Sequence, residues 1–139
     1  MLLVMDTSVL VAGLRSSLGA SFVFLREVSA GKVELLATPA LFLEYEEVLM
    51  RTQHNLPVMY VESFLAELAT RITPVEIWYQ WRPLLTDPDD EMVLEAAING
   101  CAEAIVTHNK RDFLPQAKRF GVEVHTPAEV LLKLSSERR

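Results

Sequence analysis

The chain has 139 residues, 50% of them hydrophobic and 23% charged, with a formal net charge of −6. That length fits one domain around one core, and the composition excludes a disordered chain or a disulfide scaffold, since the single Cys101 can close neither an internal bridge nor a cysteine-rich zinc site. The acidic balance excludes nonspecific adhesion to nucleic acid, which lysine and arginine drive by displacing counterions, but it is compatible with an enzyme site lined by carboxylates.

No window reaches the roughly 18 to 20 uninterrupted apolar residues of a membrane span, and no basic segment precedes the N-terminal apolar run. Neither a membrane nor a secretory signal is expected, and a lone thiol suits a reducing, cytoplasmic setting. Cys101 itself is expected to pack as a small apolar residue.

In chain order, residues 2–5 are an apolar run that reads as a strand buried on both faces. It delivers Asp6, Thr7 and Ser8 at its carboxyl end, where ligands bind in parallel sheets. Asp6 also suits a helix cap, so chemistry and capping are both open on local sequence. A helix is expected over 20–30, ending at Gly31, and a strand over 33–37. Thr38-Pro39 opens a helix over 40–52, with Leu41, Phe42, Tyr45, Val48 and Leu49 on its apolar face. On that helix Glu47 points nearly opposite the core, while Glu44 and Glu46 lie at the two margins and spacing does not choose between them.

A helix over 57–71, with Val58, Val61, Phe64, Leu65 and Leu68, provides either core or a partner face. Residues 75–79, near Trp78 and Trp81, read as a further strand or as a connector burying aromatics. Asp87-Pro88 opens a helix over 88–99 that ends at Gly100. Asp90, Val93, Leu94, Ala97, Ile98 and Cys101 share one helical stripe, which sets Asp90 on the core-facing side and Asp89 and Glu91 toward water. A carboxylate on such a stripe needs a partner, and a metal ion is one way to supply it; the alternative is that Asp87 caps while Asp90 complements the helix dipole.

The strand over 104–107 repeats the opening theme, passing into Thr107, His108, Asn109, Lys110, Arg111 and Asp112. A helix over 112–119 ends at Gly121, a strand follows over 122–125, and Thr126-Pro127 with Glu129 forms a capping box for a helix over 127–136. Lys110, Arg111, Lys118 and Arg119, with Arg15 near the first strand, are either a local basic patch for substrate or a solvated surface. Strands alternating with helices predict an α/β chain, a mostly parallel sheet of about five strands covered by helices on both faces. Asp6, Glu44, Asp90 and Asp112 are then candidates for one acidic cluster, whose oxygen ligands suit Mg²⁺ or Mn²⁺ rather than zinc.

These pieces together resemble the PIN-domain ribonucleases, which include the toxins of bacterial VapBC toxin-antitoxin pairs. The resemblance rests on Asp6-Thr7-Ser8 after the first strand, Glu44 on the helix after Pro39, the run Asp87-Pro88-Asp89-Asp90-Glu91, and the late Thr107-His108-Asn109-Lys110-Arg111-Asp112. It implies a three-layer α/β/α fold over residues 1–139 and hydrolysis of RNA with one or two Mg²⁺ or Mn²⁺ ions. It implies that Asp6, Glu44, Asp90 and Asp112 are the acidic metal-site residues, supported by Thr7, Ser8, Asp87, Thr107 and Asn109. A small antitoxin and a second copy of the chain are the partners it implies. Family members commonly carry Asn where this chain has Ser8.

Two other readings suit parts of the same pattern. A Mg-dependent phosphohydrolase with an aspartyl nucleophile would also place Asp6 after the first strand, but its pattern wants a second Asp where Ser8 stands. A PIN-like module without activity would act only through protein partners. Gly-x-x-x-x-Gly-Lys and Gly-x-Gly-x-x-Gly are both absent, which excludes P-loop and dinucleotide sites.

Overall fold

The computed structural model describes residues 1–80 and 82–137. They form strands β1 (Leu2–Met5), β2 (Glu34–Ala37), β3 (Ile72–Pro74), β4 (Ala104–Val106) and β5 (Glu123–His125). The helices are α1 (Thr7–Arg15), α2 (Ala20–Ser29), α3 (Pro39–Leu49), α4 (Val58–Arg71), α5 (Pro88–Asn99), α6 (Gln116–Arg119) and α7 (Pro127–Glu137).

The strands pair in parallel in the order β3-β2-β1-β4-β5. Consecutive residues Leu3, Val4 and Met5 are all fully buried, so helices cover both faces of the central strand, as the apolar run predicts for an α/β/α layering. From β1 the chain winds outward through β2 and β3, then returns to build β4 and β5 on the other side of β1. The winding direction therefore reverses between β1 and β4, and the crevice beyond their carboxyl ends is where a ligand site belongs. Met5 is in register with Val106, which brings the next residues, Asp6 and Thr107, side by side.

The three X-Pro helix entries form as expected. Thr38 accepts from Leu41 N at 3.1 Å, Asp87 accepts from Asp89 N at 2.9 Å, and Thr126 and Glu129 exchange both bonds of a capping box at 3.2 and 2.9 Å. On α4, Val61, Leu65 and Leu68 are buried and Val58 is exposed, so this face is mainly core.

Several elements differ from the sequence reading. Residues 7–15, where the pattern predicts no helix, form α1, whose Gly13 lets α2 approach: an added Cβ there would lie 2.5 Å from Leu25 Cδ1 and 3.2 Å from the Ser21 carbonyl oxygen. Helix α3 stops at Leu49, and a short 3-10 turn follows at Thr52–His54. The segment over 75–79 is neither a strand nor a burial site for aromatics. The fifth strand is β3, directly after α4, and Trp78 and Tyr79 are 74% and 64% exposed, while Trp81 lies outside the described residues. The helix expected over 112–119 shrinks to α6, because Pro115 disfavours helical backbone at Leu114; Asp112 belongs instead to a 3-10 turn, Lys110–Asp112.

Two side chains on and after α5 are also placed differently. Glu91 is buried rather than facing water, because residues 82–86 fold back over it: its Oε1 accepts from Leu84 N at 2.6 Å and Leu85 N at 2.7 Å. Beside it the Arg82 guanidinium forks onto the buried Glu95 carboxylate, one arm at 2.8 Å. Cys101 is exposed rather than packed, and it takes the left-handed φ of +52° that ends α5. Gly100 serves a different need, since a Cβ there would come within 2.9 Å of both the Ala96 carbonyl oxygen and Leu36 Cδ1.

Candidate active site

Asp6 N-caps α1 by position only. Among the described residues its carboxylate makes no bond to the helix amides. It is buried at 6% exposure, and Oδ2 accepts instead from the Ser8 hydroxyl at 2.8 Å and the Thr107 hydroxyl at 2.7 Å. Both hydroxyls are themselves oriented: Ser8 Oγ accepts from His108 N at 3.3 Å, and Thr107 Oγ1 accepts from Asn109 N at 2.9 Å. Thr7 makes only a long contact, 3.5 Å, with Oδ1. Thus Oδ2 is committed to holding the carboxylate in place and Oδ1 keeps its acceptor capacity for the cleft. Beneath this arrangement the buried Tyr45 hydroxyl donates to the Met5 carbonyl oxygen. Burial, reinforced by the negative charge of Asp6, raises the proton affinity of that phenol, so it stays a neutral donor.

Asp6 opens onto a cleft of about 830 Å³, also lined by Glu44, Asp87, Asp90, Asn109 and Asp112. The four acids proposed for one cluster are therefore brought to one concavity, at the carboxyl ends of β1 and β4. Glu44 is buried in its wall, whereas Glu46 is exposed and outside this lining, which resolves the choice between the two margins of α3. Asp87 reaches the same cleft, but one of its oxygens caps α5.

Electrostatics mark the cluster as strained by like charge. Asp90 is pushed up to about 7, first by burial and then by Asp6, Asp87, Asp112 and Asp89. Glu44 is also raised, chiefly by burial and then by Asp89 and Glu47, with Arg51 opposing. Either a proton or a bound cation relieves such repulsion, and an all-oxygen donor set fits Mg²⁺ or Mn²⁺. Among the described residues, however, no three His, Cys, Asp or Glu side chains stand close enough to hold one ion as they are placed.

The same cleft is also lined by residues that periodicity does not single out: Arg51, Gln53 and His54 at the 3-10 turn after α3, together with Arg15 and His108. Both ring nitrogens of His54 are buried and, among the described residues, unpartnered. His108 Nε2 lies 2.6 Å from the Ser21 hydroxyl. Of the two candidate basic patches, the one near the C-terminal third is divided, while Arg15 near the first strand reaches the site. Arg15 lines this cleft, Lys110 pairs with Glu129 at 2.9 Å, and Arg119 bonds Gln116 at 3.1 Å on the exposed surface beside Lys118.

Among the described residues no single helix is long and apolar enough to cross a membrane. Comparison with solved structures finds similarity to VapBC2 from Rickettsia felis, in a crystal structure with a DNA fragment from their promoter. The TM-score is 0.60 at 14% identity, covering 91% of this chain and 98% of that one, a likeness of fold. No curated protein matches the chain. The PIN domain family model matches residues 2–111, from β1 into the turn after β4, and includes Asp6, Glu44, Asp87 and Asp90 of the cleft, ending one residue before Asp112. The chain belongs to the PIN domain family.

Proposed function

We propose that this protein is a metal-dependent endoribonuclease, the toxin of a type II toxin-antitoxin pair. The observation that carries the reading is the use of Asp6: a buried carboxylate after the central strand that caps nothing, is clamped through one oxygen, and shares a cleft with Glu44, Asp90 and Asp112. Asp6 and Asp90 are the residues to hold Mg²⁺ or Mn²⁺, with Asp112 and Glu44 completing the shell directly or through water. Such an ion, when bound, lowers the pKa of water to make a nucleophile and offsets charge on the phosphate.

The chain's own groups supply orientation and proton handling. Ser8 and Thr107 keep Asp6 from rotating, so its free oxygen presents one direction to the cleft. Glu44, with its proton affinity raised by burial, is suited to orient an attacking water and accept its proton. Arg15 and Arg51 provide positive charge for a phosphodiester in a protein that is otherwise acidic. VapBC2 in the similar structure motivates a small antitoxin as partner; a homodimer and a cytoplasmic setting belong to the same reading.

The test is cleavage of single-stranded RNA with Mg²⁺ and with EDTA, comparing wild type, Asp6→Asn and Asp90→Asn. Metal-dependent cutting lost in both variants, with the circular-dichroism spectrum retained, supports the assignment. Cutting at wild-type level in both variants removes it. Calorimetric titration of Mg²⁺ or Mn²⁺ into wild type and Asp6→Asn separates an active site from an inactive module, in which the two titrations would coincide.

A further inference from the structure

A second cleft, about 530 Å³, lies against the acidic cluster on its far side. Asp87, Asp90 and Asp112 line both clefts, so the carboxylates form a ridge common to the two rather than the floor of one. The second cleft differs in chemistry: Leu84, Leu85, Leu114 and Pro115 give it apolar walls, and Arg111 is its cation. Arg111 is exposed and, among the described residues, has neither a hydrogen-bond nor an ion-pair partner, although three carboxylates share the cleft with it.

Both walls of this cleft are preformed. On one side the 82–86 segment is pinned to α5 by the Glu91 bonds to Leu84 N and Leu85 N and by the Arg82–Glu95 fork. On the other, the fully buried Phe113 anchors the turn that carries Arg111 and Asp112. An unpaired guanidinium beside apolar surface matches what a nucleic-acid single strand offers, a phosphate next to a base face.

We infer that the two clefts are one substrate track. An RNA strand crosses the shared carboxylate ridge, with nucleotides on one side of the scissile phosphate beside Arg15 and Arg51. Those on the other side lie against Leu85 and Leu114, with Arg111 on a phosphate. This rests on the nuclease reading and adds that substrate is gripped on both sides of the cut, with Arg111 as the residue that holds a phosphate in the second cleft.

The test uses the Asp6→Asn protein with Mg²⁺ and fluorescein-labelled single-stranded RNAs of graded length, followed by anisotropy at several salt concentrations. Affinity is expected to rise with length until the strand fills both clefts and then to level off. Adding Arg111→Ala should remove about three- to tenfold of affinity for the long strand and flatten the dependence of log K on log salt by about 0.7, one single-strand phosphate contact. Arg111→Lys should restore the slope. Long RNA bound by Arg111→Ala with undiminished affinity and slope overturns the track, and if the wild type still cuts RNA the nuclease reading stands without it. If RNA of no length is bound or cut, the nuclease reading fails and the track with it.

Discussion

The Thr107 hydroxyl donates to Asp6 Oδ2 at 2.7 Å across 101 positions of sequence, tying together the ends of the two strands between which the sheet reverses its winding. A hydrogen bond to a buried carboxylate is among the stronger ones, and here it also sets which oxygen faces the cleft. Thr107→Val keeps the shape and removes the hydroxyl, which leaves Asn109 N without its acceptor as well. The expected outcome is a loss of about 1.5–3 kcal/mol in urea unfolding and a fall in RNA cleavage of about tenfold or more. Thr107→Ser should recover most of both. Unchanged stability and cleavage in the valine variant would show that Ser8 alone holds Asp6.

Asp90 gives a pH prediction with a definite sign. Its carboxyl titrates near 7 in the fold against 3.8 for the free side chain, so between those values the folded protein holds a proton that the unfolded chain has released. Stability of metal-free protein therefore falls as pH rises through this window, and the penalty is complete above 7. Asp90→Asn removes the charge and with it the penalty. In EDTA at pH 8 the variant should melt several degrees above wild type, with a gain of about 2 kcal/mol after allowing for screening by water in the cleft. The two proteins should converge near pH 4. A variant that melts with or below wild type at pH 8 contradicts the electrostatic account of the cluster.

The two glutamates at the margins of α3 make a paired test. Glu44 is in the cleft wall and Glu46 is outside it, yet both are one residue from the buried Tyr45 and chemically alike. Glu44→Gln is expected to lower the cleavage rate constant by about 10²-fold or more, the usual scale for losing a proton acceptor, and Glu46→Gln to leave it within about twofold. Equal effects from the two would mean that α3 contributes charge to the site and no specific group.

What could be read from the sequence was whatever depends on local pattern. The apolar run ending at Asp6, the proline-led entry to α5 and the alignment of Asp90 with Val93, Leu94 and Ala97 all express the period of one element, and the structure places Asp90 in the cleft accordingly. What could not be read depends on a second segment arriving from elsewhere. Helix α1 was hidden because its apolar residues continue those of β1 without a capping bond, and its glycine serves a contact with α2. Choosing Glu44 over Glu46 required the rotation of α3 against its neighbours. The exposure of Cys101 depends on the turn after α5, where the left-handed residue falls one position beyond Gly100, which is itself used for close packing.

Glu91 is the sharpest case of that second kind, and it yields the last prediction. By helix geometry it should face water, but residues 82–86 cover it and its Oε1 accepts two backbone amides at 2.6 and 2.7 Å. Those amides lie just before Asp87, so the glutamate ties the approach to α5 onto the helix that carries Asp90. Glu91→Gln retains an oxygen acceptor and should cost little. Glu91→Ala leaves two amides to find water and opens a void, for an expected loss of about 2–4 kcal/mol. If the side chain also positions Asp87 and Asp90, the alanine variant should weaken Mg²⁺ binding by about tenfold at a temperature where it remains folded, while the glutamine variant binds as wild type. Loss of stability with unchanged metal affinity would confine Glu91 to holding the fold. Recovery of both properties by glutamine would show that its oxygen, and not its charge, is what the strap requires.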